Sequence, residues 1–235
     1  MKKISVVVSA YNEEENLPKC LTALTSQTFP QKDYEIVVVD NNSTDKTVEI
    51  AKSFGARVVT EKRQGNTFAV SAGYKAADGE IIASTDADTI VDKKWLEVIY
   101  NAFVDKKVVG ATGNIDVYSK NKLFKKFAEK LYEIFLKINF LLGKPHFSGF
   151  NFAVRKSTFD EIGGIDETFT MSPDVDLGIR MAKIGKVVFV NDMLVSSSIR
   201  RWEETPFDAF WTYLKGYVYS IWLRKPPPVK QKVIR

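Results

Sequence analysis

Two aspartates, one residue apart, close an apolar run in the stretch 81–89, which reads IIASTDADT. In a β-strand, residues i and i+2 point to the same side, so Asp86 and Asp88 face one point if the strand geometry continues. Two carboxylates held that close repel each other, and a divalent cation removes the repulsion. Mg²⁺ and Mn²⁺ prefer oxygen ligands and are commonly shared between one or two carboxylates and the phosphates of a substrate. The pair predicts a metal–diphosphate site, and the alternative interpretation is a loop with two solvated aspartates.

The elements around this pair decide where it lies. Short runs rich in valine and isoleucine alternate with helical patterns through the first half of the chain, and the apolar runs cover residues 4–10, 34–40, 56–61 and 80–88. Strands separated by single helices need crossover connections, which predicts a mostly parallel sheet with helices on both faces. Ligands of such open sheets bind outside the carboxyl ends of the strands, and Ser9, Asp40 and Asp86 all stand there.

The second half of the chain has a different character. Apolar residues recur at helical spacing from 123 to 142, with lysines beside the stripe, and an aromatic helix is expected from 207 to 222. Residues 200–235 hold eight basic against three acidic side chains, in a chain of net charge +5. We expect one domain over residues 1–205 and an aromatic, basic C-terminal appendage over 206–235. A basic end of this kind indicates an acidic partner such as a membrane surface.

Several classes of protein are excluded by what the sequence lacks. The single cysteine, Cys20, rules out an intrachain disulfide and a metal site built on several thiolates. No run of 18 apolar residues is present, so no transmembrane helix is expected. The first apolar run, 4–10, continues directly into Asn12 and three glutamates, which favours a buried strand over a signal peptide. Neither a glycine-rich dinucleotide fingerprint nor a P-loop follows it, so a nucleotide would be held by side chains and a metal.

Several ordered motifs resemble the family 2 inverting glycosyltransferases of the GT-A fold. The matching stretches are VVVSAYNEEENLPKCLTAL, EIVVVDNNSTDKTVEIA, GNTFAVSAGYKAADGEIIASTDADT, GFNFAVRKSTFDEIGGIDETF and PDVDLGIR, and together they extend over about residues 4–202. The resemblance implies a single α/β nucleotide-binding domain of the GT-A type. It also implies a UDP- or GDP-sugar as the donor and Mg²⁺ or Mn²⁺ as the cofactor.

The resemblance also implies roles for individual residues of the donor site. Ser9, Tyr11 and Glu13 lie in the turn that receives the nucleotide base, and Asp40 is the acid that contacts the base. The second acid usual beside Asp40 is replaced by Asn41. Further donor contacts are assigned to Arg63, Asp86 and Arg201, and Asp86 and Asp88 match the metal ligands of the family.

The catalytic base that the resemblance implies is Asp174. Family members usually have a glutamate before this aspartate, whereas this chain has Pro173. The alternative interpretation of Asp174 is an ordinary acid in the first turn of a helix, where proline is also favoured. In an inverting transfer the acceptor hydroxyl loses a proton as it attacks the anomeric carbon, and a carboxylate in reach takes it. Gly149, Asn151 and Trp202 are assigned to the acceptor side.

The expected acceptor is a lipid-linked group or a glycan. No nucleic-acid partner is expected. The two amphipathic helices are interpreted either as core helices or as peripheral contacts with the cytoplasmic face of a membrane, which places the chain in the cytoplasm. Two rival functions remain: a catalytically inactive nucleotide-binding or membrane scaffold protein, and a nucleotidyltransferase. The second would normally carry a glycine-rich loop with a basic residue after the first strand, which this sequence lacks.

Overall fold

The computed structural model of the chain describes residues 2–117, 122–197 and 206–228. Within these ranges, eight strands form one sheet in the order β3-β2-β1-β4-β7-β6-β8-β5. The strands are β1 (Ile4–Ala10), β2 (Tyr34–Asp40), β3 (Arg57–Thr60), β4 (Ile81–Asp86), β5 (Thr89–Val91), β6 (Val108–Val117), β7 (Phe152–Arg155) and β8 (Lys186–Ser197).

The sheet is mostly parallel, as the alternation of strands and helices predicts. The strands β1 to β4 pair in parallel, and β6 pairs in parallel with β8. Two strands run against the others: β7 lies antiparallel between β4 and β6, and β5 is antiparallel to β8. An apolar pattern carries no information on the direction of a strand, because direction depends on where each strand returns to the sheet, and the short strand β5 was not expected from the sequence.

Helices cover both faces of the sheet. They are α1 (Leu17–Thr25), α2 (Thr47–Ser53), α3 (Asn66–Ala76), α4 (Trp95–Ala102), α5 (Lys122–Leu141), α6 (Lys156–Glu161), α7 (Pro173–Met181) and α8 (Pro206–Tyr217), which continues as a π-helix, Val218–Leu223. The aromatic helix expected at 207–222 is thus an α-helix followed by a π-helical turn.

The core lies in two layers, one on each face of the sheet. Successive residues of β1 alternate between them: Val6 and Val8 pack with Trp95 of α4, while Val7 packs with Tyr74 of α3. This is the period of two expected of a strand that is covered on both sides. All five of these residues expose 1% or less of their surface.

The junction between β6, β7 and β8 is tied together by Asn151, which is fully buried. Its side-chain oxygen accepts a hydrogen bond from the indole of Trp95 at 2.8 Å, and its nitrogen donates to the carbonyls of Asn114 and Met193, each at 2.8 Å. Beside it, a Cβ on Gly113 would lie 1.9 Å from the Met193 carbonyl oxygen, so only glycine fits there.

Helix α5 places its apolar stripe outward. The stripe residues are between 43% and 86% exposed, and they are Leu123, Phe127, Leu131, Ile134, Ile138, Leu141 and Leu142. The opposite side of α5 packs inward through Leu136 and Asn139, both nearly fully buried. Among the described residues, no helix is both long enough and apolar enough to cross a bilayer.

Candidate active site

The carboxyl ends of β1, β2 and β4 bring the predicted donor residues to one edge of the sheet. Ser9 is the register partner of Asp86, and Ala10 is the partner of Asp40. The Ser9 hydroxyl donates to the side-chain oxygen of Asn66 at 2.9 Å, which joins the end of β1 to the start of α3. The edge predicted from the strand pattern is therefore formed by residues that lie far apart in the sequence.

Tyr11 and Glu13 follow β1 in a turn that packs against the start of α2, the helix between β2 and β3. The backbone N–H of Glu13 donates to the Thr47 hydroxyl at 2.8 Å, and the carboxylate of Glu13 accepts a hydrogen bond from the Asn16 amide at 2.8 Å. Asp40 is 6% exposed, and its carboxylate accepts the backbone N–H of Ser43 at 3.1 Å. These contacts fix the turn that the sequence assigns to the nucleotide base.

Asp86 ends β4, and Asp88 lies in the short turn that leads into β5, so the strand geometry does not continue through both. Burial raises the pKa of the Cys20 thiol, and the negative charges of Asp86, Asp88 and Glu13 raise that pKa further. The Asp86 and Asp88 side chains are partly buried at the carboxyl edge of the sheet.

The chemistry of these donors fits a divalent ion shared with a substrate. Among the residues that the structure describes, no cluster of three or more histidine, cysteine, aspartate or glutamate side chains is suited to hold a metal. The protein would supply one or two carboxylates, Asp86 and Asp88, and the remaining ligands would come from phosphate oxygens and water. Mg²⁺ and Mn²⁺ are commonly bound in this way.

Asp174 stands in the first turn of α7, directly after Pro173, which occupies the start of the helix. The preceding Ser172 adopts a left-handed conformation, with φ of 57°, and so turns the chain sharply into the helix. Burial raises the pKa of Asp174 to about 6, while the backbone N–H groups of Val175 and Gly149 donate to its carboxylate and oppose the rise. A carboxylate with this pKa is ionised at neutral pH yet able to accept a proton.

One cavity is lined by both Asp86 and Asp174. Its other lining residues are Asn66, Val70, Tyr74, Gly149, Ile165 and Pro173. Its floor is fixed by a chain of hydrogen bonds: the Tyr74 hydroxyl donates to Ser84 at 2.7 Å, and the Ser84 hydroxyl donates to the carbonyl of Gly149 at 2.9 Å. A candidate metal ligand, Asp86, and a candidate base, Asp174, therefore line the same small cavity.

Of the residues predicted on the acceptor side, one lines the cavity and one is buried in the sheet. Gly149 lines the cavity and contacts Asp174, whereas the Asn151 side chain is committed to the hydrogen bonds of the sheet junction described above. Arg201 and Trp202 lie outside the described residues.

Asn41 has a role that sequence reasoning missed. Its side-chain nitrogen donates to the carbonyls of Glu61 and Arg63, at 2.7 and 2.8 Å, and its oxygen accepts the N–H of Gly65 at 2.8 Å. An aspartate here would keep the acceptor and lose both donors. The replacement of an acid by Asn41 therefore organises the loop 61–65, which carries Arg63.

Glu167 is a second residue that sequence reasoning missed. Its carboxylate accepts hydrogen bonds from Arg63 at 2.6 Å, Ser71 at 2.8 Å and Lys75 at 3.3 Å. These donors, Arg63 first, lower the pKa of Glu167 to about 2. Glu167 joins the segment before α7 to the loop of Arg63, so the predicted donor contact Arg63 is held in place by two glutamates, Glu61 and Glu167. No local sequence pattern signals a contact between residues this far apart.

Comparisons with known proteins place the chain among sugar-transferring enzymes. The sequence profile of the family Glycosyl transferase family 2 matches residues 5–163. Glycosyltransferase AglE of Haloferax volcanii is 41% identical over 100 residues, which cover 40% of this chain and 33% of that protein. The dolichyl N-acetyl-alpha-D-glucosaminyl phosphate 3-beta-D-2,3-diacetamido-2,3-dideoxy-beta-D-glucuronosyltransferase of Methanococcus voltae is 25% identical over 222 residues, covering 86% of this chain and 68% of that protein.

A solved structure shares the fold. The mannosyltransferase PcManGT from Pyrobaculum calidifontis, in complex with GDP-Man and Mn²⁺, superposes with a TM-score of 0.72 at 20% identity. The match covers 96% of this chain and 66% of PcManGT. The GT-A fold expected from the motifs is thereby confirmed. This chain spans about a third of the length of AglE.

Proposed function

Because this chain belongs to glycosyl transferase family 2, we propose that it transfers a sugar from a UDP- or GDP-sugar to an acceptor hydroxyl with inversion at the anomeric carbon. The observation that carries the proposal is the shared cavity of Asp86 and Asp174. An inverting displacement needs a base on one side of the reacting carbon and a stabilised diphosphate on the other, and a single cavity between two carboxylates offers both positions.

In the proposed reaction, Asp174 is the base. The acceptor oxygen forms a bond to the anomeric carbon while the bond from that carbon to the diphosphate oxygen breaks and its electron pair leaves with the diphosphate. The proton of the acceptor hydroxyl passes to the carboxylate of Asp174. General-base catalysis of this kind contributes about 10²- to 10⁴-fold in rate. The pKa of about 6 suits the task, because the carboxylate is charged at neutral pH and only weakly solvated.

The donor side is assigned to the edge of the sheet. Asp86 and Asp88 would hold Mg²⁺ or Mn²⁺, and a bound divalent ion offsets the negative charge that develops on a leaving diphosphate. We assign Ser9, Tyr11, Glu13 and Asp40 to the nucleoside. We assign Arg63 to the donor as well, since its loop borders the start of α3 and its guanidinium is half exposed at 52%.

A panel of UDP- and GDP-sugars, tested with and without Mn²⁺, examines this proposal. We expect one donor to raise the melting temperature only when Mn²⁺ is present, and to be hydrolysed slowly without an acceptor. Asp174→Asn is expected to keep the thermal shift and lose turnover, because it alters the base and leaves the donor side intact. If every donor fails to stabilise the chain with Mn²⁺, the proposed donor site is wrong. If a donor binds but the wild-type protein transfers no sugar to any acceptor in a mixture of candidates, the catalytically inactive scaffold is the better interpretation.

We further propose a lipid-linked acceptor presented at an anionic, cytoplasmic membrane face. The outward apolar stripe of α5 supports this, because an exposed patch of such length marks a contact surface. Helix α5 also has five lysines against two glutamates. This positive charge is typical of a helix at an anionic membrane surface rather than of an uncharged protein–protein interface. The name of the Methanococcus voltae relative includes a dolichyl N-acetyl-alpha-D-glucosaminyl phosphate, which is a lipid-linked sugar.

Flotation with vesicles of about one-third anionic lipid tests the membrane contact, with two matched substitutions. Ile138 lies on the stripe and is 49% exposed, whereas Ile184 lies off it and is 50% exposed. Ile138→Ser is expected to weaken binding several-fold, and Ile184→Ser to leave it unchanged. Equal effects of the two substitutions, or no binding by wild type, would argue against this surface.

A further inference from the structure

The outer side of α7, the helix that carries Asp174, is held by contacts with the segment 216–224. We propose that Arg224 is a positioning residue for Asp174, acting through the buried carboxylate of Asp176. The inference rests on the proposed function of Asp174 and extends it to a part of the chain that the sequence assigns to a separate appendage.

Asp176 is the link between the two. It is 2% exposed, and its carboxylate is shared by two arginines: Arg180 donates at 2.6 Å to one oxygen, and Arg224 donates at 2.9 Å to the other. An α-helix turns by about 100° per residue, so side chains two positions apart project to nearly opposite sides. Asp174 therefore projects toward the cavity while Asp176 projects toward the C-terminal segment. A rotation of α7 that moves one must move the other.

Arg180 connects Asp176 to the rest of the domain. Its guanidinium also donates to the carbonyls of Ile162 and Gly164, at 3.1 and 2.7 Å, which belong to the turn after α6. These contacts hold α7 from the side of the domain. Arg224 supplies the opposing contact from the C-terminal side, so each oxygen of the Asp176 carboxylate has its own guanidinium partner. The Arg224 side chain is 34% exposed, so only the carboxylate of this pair is buried, and a buried carboxylate is destabilised when it loses one of its partners.

Apolar contacts align the same segment with α7. Ile221 is 1% exposed and packs against Val175 and Ile179, on the outer side of the helix. Nearer the start of α7, a Cβ on Gly216 would lie 2.8 Å from the methyl carbon of Met171, so the Met171 side chain packs against the backbone of Gly216. The contacts thus begin just before Asp174 and extend along the helix behind it.

The segment is itself anchored to α5 and to the loop that follows α5. The Tyr217 hydroxyl donates to Asn139 at 3.0 Å, and Lys144 lies 3.4 Å from the centre of the Trp222 ring. Arg224 therefore extends from a braced element and not from a free end. These contacts make the segment 216–224 part of the support of the base.

The test separates positioning from folding by measuring turnover and nucleotide binding on the full chain. Arg224→Gln is expected to lower kcat by about 10- to 100-fold, because small displacements of a catalytic group have effects of that size. The Kd of UDP or GDP with Mn²⁺, whichever wild type binds, is expected to stay within two-fold. Arg224→Lys keeps the charge and is expected to recover a large part of kcat. Lys225→Gln removes the neighbouring, exposed charge and is expected to behave as wild type.

Hydrogen–deuterium exchange of the amides 173–181 gives a readout that needs no donor. Faster exchange in Arg224→Gln, but not in Lys225→Gln, is the expected result. If Arg224→Gln keeps wild-type kcat, or if Arg224→Lys is as inactive as Arg224→Gln, the proposal is overturned. A parallel fall in kcat, nucleotide binding and folded fraction would also overturn it. If wild type transfers no sugar at all, the proposed function alone fails, and exchange rates equal to wild type in Arg224→Gln would then refute the link between Arg224 and α7.

Discussion

Replacing the carboxylate of Asp174 by an amide tests the central group of the site through stability as well as activity. In Asp174→Asn the side chain keeps its size and one acceptor oxygen, but it cannot ionise. The proton acceptor is lost, so the rate of transfer is expected to fall by about 10²- to 10⁴-fold. A second effect follows from burial and does not depend on any substrate.

The size of that effect follows from the pKa of Asp174, which burial raises to about 6. An aspartate in the unfolded chain titrates near 3.9, and a difference of two pH units corresponds to roughly 3 kcal/mol. The folded chain binds this proton more tightly than the unfolded chain, so the contribution of Asp174 to stability is greatest below pH 4 and is lost as the pH rises through 6. Above that pH the buried charge destabilises wild type, and the amide removes this penalty. Part of the gain is offset because the new NH₂ group needs partners, which leaves about 1–3 kcal/mol.

Melting curves of wild type and Asp174→Asn at pH 4.5, 6.0 and 7.5 measure the difference. For a chain of this length, about 1 kcal/mol corresponds to roughly 2–4 °C. The variant is expected to melt several degrees higher at pH 7.5 and at nearly the same temperature at pH 4.5. Asp192, an exposed aspartate, provides the control, since Asp192→Asn should change little at any pH. A melting difference that is absent at pH 7.5, or that is equal at all three pH values, would refute the argument from burial.

Three further outcomes are expected. Asn41→Asp removes two hydrogen-bond donors from the loop 61–65 and should cost about 2 kcal/mol in chemical denaturation, with weaker nucleotide binding in calorimetry; unchanged stability would show that the loop does not depend on them. Asp86→Asn should abolish the Mn²⁺-dependent part of the donor-induced thermal shift, and a shift that persists in full would remove Asp86 from the metal site. Gly113→Ala forces a methyl group against the Met193 carbonyl and should lower the free energy of unfolding by about 3 kcal/mol, measured by urea titration; a soluble variant of wild-type stability would contradict the packing described for this junction.

The positions of the strands and of the donor edge could be predicted because they depend on short-range pattern. A buried strand needs a run of apolar residues, and a parallel sheet brings the ends of its strands together, so Ser9, Asp40 and Asp86 were expected at one edge and lie there. The amphipathic helix α5 was also expected, and it is confirmed. Its pattern left open whether the apolar side faces the core or the surroundings, since periodicity identifies a side of a helix and not what covers it.

What the sequence could not provide depends on long-range contacts. From the sequence, Asn41 was only the replacement of a usual acid, and its hydrogen bonds to the loop 61–65 are seen only in the structure. Glu167 gives no local signal, because its partners belong to α3 and to the loop before it. The roles of Tyr11, Glu13, Asp88 and Asp174 toward a ligand stay predictions, as does the division of the chain at residue 205.

The order of the strands has a consequence for how the site is assembled during synthesis. The parallel pairings of β1, β2, β3 and β4 all form within the first 86 residues, so the edge that carries Asp86 can be completed from contiguous chain. The strand β5, at 89–91, must instead await its partner at 195–197. Contacts between residues far apart in sequence form slowly, and chains emerge from the ribosome at only about 5–20 residues per second. The donor edge is therefore synthesised well before Asp174 and the segment 216–224, and under the proposed function we expect a nascent chain to gain its donor site before it gains its base.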